Sequence, residues 1–97
     1  MPSYQLSNAA GEDLSDLYSY SYVEFGEHRA DAYFESLEDC LRRLADNPKL
    51  GMDVSGIRQG YFRFVHQQHS VYYKRSRSGI LIVRILGPGM STDRNLP

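Results

Sequence analysis

The sequence predicts an α+β fold, a helical hairpin packed on one face of a small antiparallel sheet, and three observations carry that expectation. Two stretches, one from about Asn8 to Phe25 and one from about Glu27 to Asp46, repeat apolar residues at the three-and-four spacing of a buried helical face. Three shorter runs follow: Tyr61 to Val65, Ser70 to Lys74 and Ile80 to Leu86, rich in the aromatic and β-branched residues that suit strands. The reversals between them, at Gln67 and Gln68 and then at Ser76 to Gly79, are short enough to join antiparallel neighbours.

Each element has its own local signals. Tyr4 to Leu6 reads as a short strand, and Ser7 then offers a side-chain oxygen to the free N–H groups of a helix that begins at Asn8. That helix places Ala10, Leu14, Leu17, Tyr18, Ser21 and Phe25 on its inner face, and Gly26 is suited to end it in the left-handed conformation. Gly11 weakens its first turns by roughly 1 kcal/mol relative to alanine. The second helix has the cleaner stripe, Ala30, Tyr33, Phe34, Leu37, Leu41 and Leu44 with Cys40 beside it. It stops at Asn47, because Pro48 disfavours helical geometry in the residue before it. A polar loop through Gly51, Met52, Asp53 and Ser55 leads to the strands. Of these, Ile80 to Leu86 is apolar except for Arg84, which fits a central strand covered on both faces. The order is β, α, α, β, β, β, with the first strand expected beside the meander formed by the last three.

Ninety-seven residues suit one domain spanning 1 to 97, with function on the surface of a single sheet-and-helix unit. Cys40 is the sole cysteine, so an internal disulfide and a cysteine-based zinc site are both excluded. No basic segment followed by an apolar stretch opens the chain, and no run approaches the roughly 20 apolar residues that span a bilayer. A cytoplasmic protein is expected. The formal net charge of −1 hides an asymmetry. Residues 1 to 48 hold ten acids and three bases, a net of −7, and residues 49 to 97 hold eight bases and two acids, a net of +6. On a sheet, Arg58, Arg63, Lys74, Arg75, Arg77 and Arg84 would form a positive face that attracts acidic partners, unless the acids of the helices neutralise them within the chain.

Candidate chemistry is sparse. No glycine loop of the phosphate-cradling kind precedes a helix, so no nucleotide cofactor is expected. His66 and His69 flank a strand reversal, where a histidine more often bonds the turn than catalyses or holds metal, and His28 lacks a second histidine one turn on. Ser7 and Ser55 have no recognisable histidine and acid partners, and Cys40 falls beside a buried stripe, where a packed thiol is inert. Binding is better served. Eight tyrosines and no tryptophan supply large rings with polar tips, suited to surfaces that are wet when free and covered when bound. Tyr20 and Tyr22 lie off the main stripe of the first helix, and Tyr61, Tyr72 and Tyr73 alternate along their strands.

Taken together, the residues resemble the ParE branch of the RelE/ParE toxins of bacterial toxin-antitoxin modules. The resemblance covers nearly the whole chain: YQLS and AAGEDL near the start, Gly26 between the helices, LADNPKLG at 44 to 51 and IRQGYFRF at 57 to 64. His69 and Tyr73 in HSVYY, ILIVRIL at 80 to 86 and the ending MSTDRNL complete it. It implies a compact toxin neutralised by a ParD-like antitoxin whose carboxy-terminal segment wraps it. ParE toxins are described as inhibitors of DNA gyrase that act by binding, whereas RelE-type relatives cut messenger RNA on the ribosome. Ribonucleases of the superfamily usually carry a histidine or tyrosine just after the last strand, as acid or base; here that place reads Gly87, Pro88, Gly89, and none of these side chains moves a proton. ParE relatives often show HQRM across the same stretch, so this chain departs from them too, while Met90, Asp93, Arg94, Asn95 and Leu96 follow their pattern.

The resemblance therefore implies a non-enzymatic gyrase inhibitor, without cofactor or metal and without direct nucleic-acid binding by the toxin alone. The alternatives are a ribosome-dependent endoribonuclease and a decayed toxin kept as an antitoxin-binding module. An acidic antitoxin tail is expected to add a strand at a sheet edge or to lay an amphipathic helix along the hairpin. Tyr20, Tyr22, Arg58, Arg63, Tyr73 and Arg84 are the expected contacts, with Arg63 and Arg84 on neighbouring strands. Met90, Arg94 and Leu96 are the expected contacts to the target.

Overall fold

A computed structural model describes residues 3–90 and 92–96 of the chain. In chain order the elements are β1 (Ser3–Leu6), α1 (Asn8–Phe25), α2 (Glu27–Asp46), a 3₁₀ turn (Pro48–Leu50), β2 (Met52–Asp53), β3 (Tyr61–His66), β4 (His69–Ser76), β5 (Gly79–Leu86) and α3 (Thr92–Asn95). The strands form one sheet in the order β1-β5-β4-β3-β2.

The ends of the helices follow from their caps. Ser7 has extended backbone geometry, accepts a hydrogen bond from the Ala10 amide at 3.0 Å through Oγ, and donates from the same hydroxyl to the Val83 carbonyl at 2.7 Å. One side chain thus starts α1 and fixes it to β5. Gly26 is the only residue between α1 and α2. Its φ of +90° with ψ of 167° is a region open to glycine alone, so the hairpin turns through positive φ but in extended rather than left-handed helical geometry. Asn47 leaves helical geometry before Pro48, as the proline requires.

The sheet is the expected antiparallel meander with the first strand beside it, and the sense of that strand makes it mixed. β3, β4 and β5 are an antiparallel meander, but β1 runs parallel to β5, from Ser3 opposite Gly79 to Leu6 opposite Ile82. A long crossover through the helical hairpin allows this sense, which a tight turn would forbid. β2 and α3 are additional short elements. β2 is only two residues, Met52 and Asp53 against Arg63 and Phe62, too short for any alternation to register in sequence.

Two clusters sandwich the sheet. Between helices and sheet lie Leu14, Leu37, Leu41 and Leu44 with Val71, Tyr73, Ile80 and Ile82. On the opposite face Tyr61, Tyr72, Val83, Leu86 and Leu96 form a second, smaller cluster. β5 contributes to both, which is why its sequence is apolar without alternation. The register shifts between Tyr72 and Tyr73: Tyr72 faces Arg84 while Tyr73 faces Ile82, leaving Val83 as an extra residue. The expected inner stripe of α1 holds for Ala10, Leu14 and Ser21 but not for Phe25, which is 57% exposed at the end of the helix, beyond the reach of the sheet.

Candidate functional site

An open groove of about 930 Å³ lies between the end of the helical hairpin and the β3–β4 turn. α1 supplies Leu17, Tyr20, Ser21 and Phe25; α2 supplies Arg29, Ala32, Tyr33 and Ser36. The turn adds Gln67, Gln68 and His69, and Pro88 closes the far end. Tyr20 is 60% and Phe25 57% exposed, and with Tyr22 and Val23 they extend the apolar lining onto open surface. Exposed apolar rings beside a groove are uncommon on a surface that stays in water.

The hydrogen bonds beneath this groove were not anticipated. His66 and His69 close the two-residue β3–β4 turn as a cross-strand pair, with Gln67 at φ 55°. Both rings reach α2: His69 Nδ1 lies 2.8 Å from the Tyr33 hydroxyl and His66 Nε2 lies 3.0 Å from the Ser36 hydroxyl. Burial lowers the pKa of both histidines below the usual value, with His66 lowering that of His69 further and Arg43 that of His66. Burial also raises the pKa of the Tyr33 hydroxyl. The sequence signal lay in the spacing of Tyr33 and Ser36, one turn apart on α2 and so on the same face.

The arginines divide. Arg84 donates from Nε and Nη2 to the two carboxylate oxygens of Asp13 at 2.8 Å each, and the Ile85 amide donates to the same carboxylate at 2.9 Å. The hydrogen bond to Asp13 raises the Arg84 pKa above its already high value, so the charge is permanent. Arg84 is thus committed inside the molecule, which corrects its assignment as a partner contact. Nor does it neighbour Arg63: β4 separates β3 from β5, and Tyr72 faces Arg63 on one side and Arg84 on the other. Arg63 donates to the Ser70 hydroxyl at 3.2 Å, is half-buried, and makes no ion pair among the described residues. Arg58 donates to the carbonyls of Ile57 and Leu96 at 2.8 and 3.5 Å.

Tyr73 corrects the sequence reading as well. It is 0% exposed, its ring stacks on Phe62, and its hydroxyl donates to the Pro48 carbonyl at 2.8 Å while accepting from the Gly51 amide at 2.9 Å. It anchors the loop after α2 from inside the core. Leu96, expected at the target surface, is 6% exposed and fills the second core cluster. Residues 92 to 96 are tied over that cluster by the Tyr72 and Thr92 hydroxyls, 2.9 Å apart, and by Arg84 Nη1, which donates to the Asn95 carbonyl at 2.9 Å. Met90 and Arg94 are exposed; the side chain of Asp93 lies outside the described residues. No described helix is long and apolar enough to cross a membrane.

The sequence and the fold both have counterparts among known proteins. Residues 4–90 match the family described as the ParE toxin of the type II toxin-antitoxin system parDE. Toxin ParE1 of two strains of Mycobacterium tuberculosis is 33% identical over 94 residues, covering 96% of both chains. Toxin ParE1 of Caulobacter vibrioides is 31% identical over 96 residues, covering 99% of both. A solved structure titled as the chromosomal ParDE toxin-antitoxin system from P. aeruginosa shares the fold, with a TM-score of 0.76 at 19% identity over 90% of this chain and 96% of that one. The chain therefore belongs to the ParE toxin family of type II toxin-antitoxin systems.

Proposed function

We propose that this toxin binds and inhibits DNA gyrase in the cytoplasm, without catalysing a reaction of its own, and that a ParD-like antitoxin holds it inactive. The observation that carries the antitoxin half is the groove. Its apolar floor, formed by Leu17, Ala32 and Tyr33, is rimmed by the cation of Arg29 and the amides of Gln67 and Gln68. That lining suits an amphipathic helix with an apolar stripe and a carboxylate beside Arg29. The basic second half of the chain, Arg63 included, would then attract the rest of an acidic tail.

The gyrase half rests on membership of the family and on Gly87, Pro88 and Gly89, which follow β5 with no group able to move a proton. One observation favours the second reading, a ribosome-dependent endoribonuclease: the Tyr33 and His69 pair at 2.8 Å, with His69 close to Gly87, brings two proton-transferring groups together. Both, however, are engaged in holding the β3–β4 turn to α2.

Stoichiometry tests the proposal. Titrated into a supercoiling reaction, an inhibitor that acts by binding reaches full effect near equivalence with gyrase, and added antitoxin restores activity. Full inhibition far below equivalence, or none at any ratio, defeats the reading.

A further inference from the structure

The His66 and His69 pair bridges two walls of the groove. The β3–β4 turn carries Gln67, Gln68 and His69 on one side; α2 carries Arg29, Tyr33 and Ser36 on the other. The polar links between these walls among the described residues are the His69–Tyr33 and His66–Ser36 hydrogen bonds, at 2.8 and 3.0 Å. Both rings also pack against the Tyr33 ring, at centroid distances of 5.8 Å for His66 and 5.7 Å for His69.

We propose that this pair is a proton-sensitive clasp: as neutral rings the two histidines hold the β3–β4 turn against α2, and mild acidification loosens the turn and widens the groove. The groups that act on the pair come from the elements packed around it. From α2 come Arg43, which opposes charge on His66, the hydroxyls of Tyr33 and Ser36, and Cys40, which acts on Tyr33. Across the hairpin each histidine faces the other. Just past β5, Gly87 lies near His69 Nε2 and donates from its amide to the Met90 thioether at 3.3 Å. α1 faces the groove with Leu17, Tyr20, Ser21 and Phe25. A second proton on the pair is thus opposed by the first, by Arg43 and by burial.

The consequence follows by linkage. The open turn, with solvated rings, binds protons more tightly than the closed one, so falling pH favours opening. Each unit by which a ring midpoint is depressed multiplies the opening equilibrium by about ten once that ring is charged. A clasp of this kind would weaken the toxin's grip on an antitoxin helix; that extension rests on the groove being the antitoxin seat.

Two measurements on the full chain separate the parts. In the free protein, NMR follows the ring carbons of His66 and His69 and the amides of Ser36, Gln67 and Gln68 from about pH 8 to about pH 5. Expected are ring midpoints below the ordinary 6.5, amides that shift at the same midpoints, and a His69 midpoint that rises in His66→Gln. Rings that titrate at 6.5 independently of each other, or amides that stay fixed while the rings titrate, overturn the clasp. The second measurement uses the co-expressed toxin-antitoxin complex over the same range. The dissociation constant should climb about tenfold per unit of depression on acidification, and His66→Gln with His69→Gln should flatten that climb. A working clasp in the free protein with no pH effect on the complex removes the groove as the antitoxin seat; absence of any complex defeats the proposed function and leaves the clasp to the NMR result.

Discussion

Arg84 grips Asp13 through two parallel hydrogen bonds of 2.8 Å, joining β5 to α1 across 71 residues of chain. The pair is largely shielded, with side chains 18% and 11% exposed, and the Asp13 carboxylate also accepts from the Ile85 amide at the edge that β1 leaves uncovered. Removing either partner strands a charge and, for Asp13, a strand amide. Arg84→Ala and Asp13→Ala should each lower stability by roughly 2 to 4 kcal/mol. In a double-mutant cycle by urea denaturation, the combined variant should cost much less than the sum; additive costs would mean that the pair is not coupled.

Arg63 should behave in the opposite way. Its hydrogen bond to the Ser70 hydroxyl carries little stability, so Arg63→Ala should stay within about 0.5 kcal/mol of the parent. Antitoxin affinity should nevertheless fall, and its dependence on salt should become shallower, as measured by calorimetry at several ionic strengths. An unchanged salt slope would take Arg63 out of the interface.

Tyr73 separates packing from recognition. Tyr73→Phe keeps the ring on Phe62 but leaves the Pro48 carbonyl and the Gly51 amide without their partner, at a cost of roughly 1 to 3 kcal/mol. Antitoxin binding by the folded variant should be unaltered. Gly51→Ala should destabilise by a similar route, because a Cβ there collides with the Tyr73 hydroxyl. Thermal melts beside binding isotherms check both.

Acid sensitivity has a definite sign. The folded-state pKa values of His66 and His69 are depressed below the ordinary 6.5, so between those depressed values and 6.5 the unfolded chain binds more protons. Stability from this source is complete above about 6.5, declines as pH falls through the window, and is lost once the folded rings are protonated. Urea midpoints of the parent should therefore drop across mildly acidic pH more steeply than those of the double variant His66→Gln, His69→Gln. Parallel curves would contradict the assignment.

Much of the fold was legible because its signals are local. Ser7 and Gly26 bound α1 through hydrogen-bonding and backbone preferences of their own, and the stripe from Ala30 to Leu44 needs only a helical period. What escaped was decided by partners far along the chain. The parallel sense of β1 depends on β5, and the burial of Tyr73 depends on a loop carbonyl at Pro48. Alternation along β4 showed that Tyr72 and Tyr73 face opposite ways but not which face the helices cover, so Tyr73 was placed outside. Arg84 was read as available because Asp13, like its neighbours Glu12 and Asp16, looks in sequence like any acid on a solvated helix. Leu96 belongs to a short tail whose four-residue helix has no periodicity to detect.

The central claim, that this toxin grips gyrase and cuts nothing, is tested most directly on messenger RNA. The purified protein is added to a ribosome-containing translation reaction at amounts that block gyrase in a parallel supercoiling assay, and transcript ends are mapped. Intact transcripts beside antitoxin-reversible gyrase inhibition are predicted; discrete scission that the antitoxin abolishes would contradict the account and assign the Tyr33 and His69 pair to catalysis.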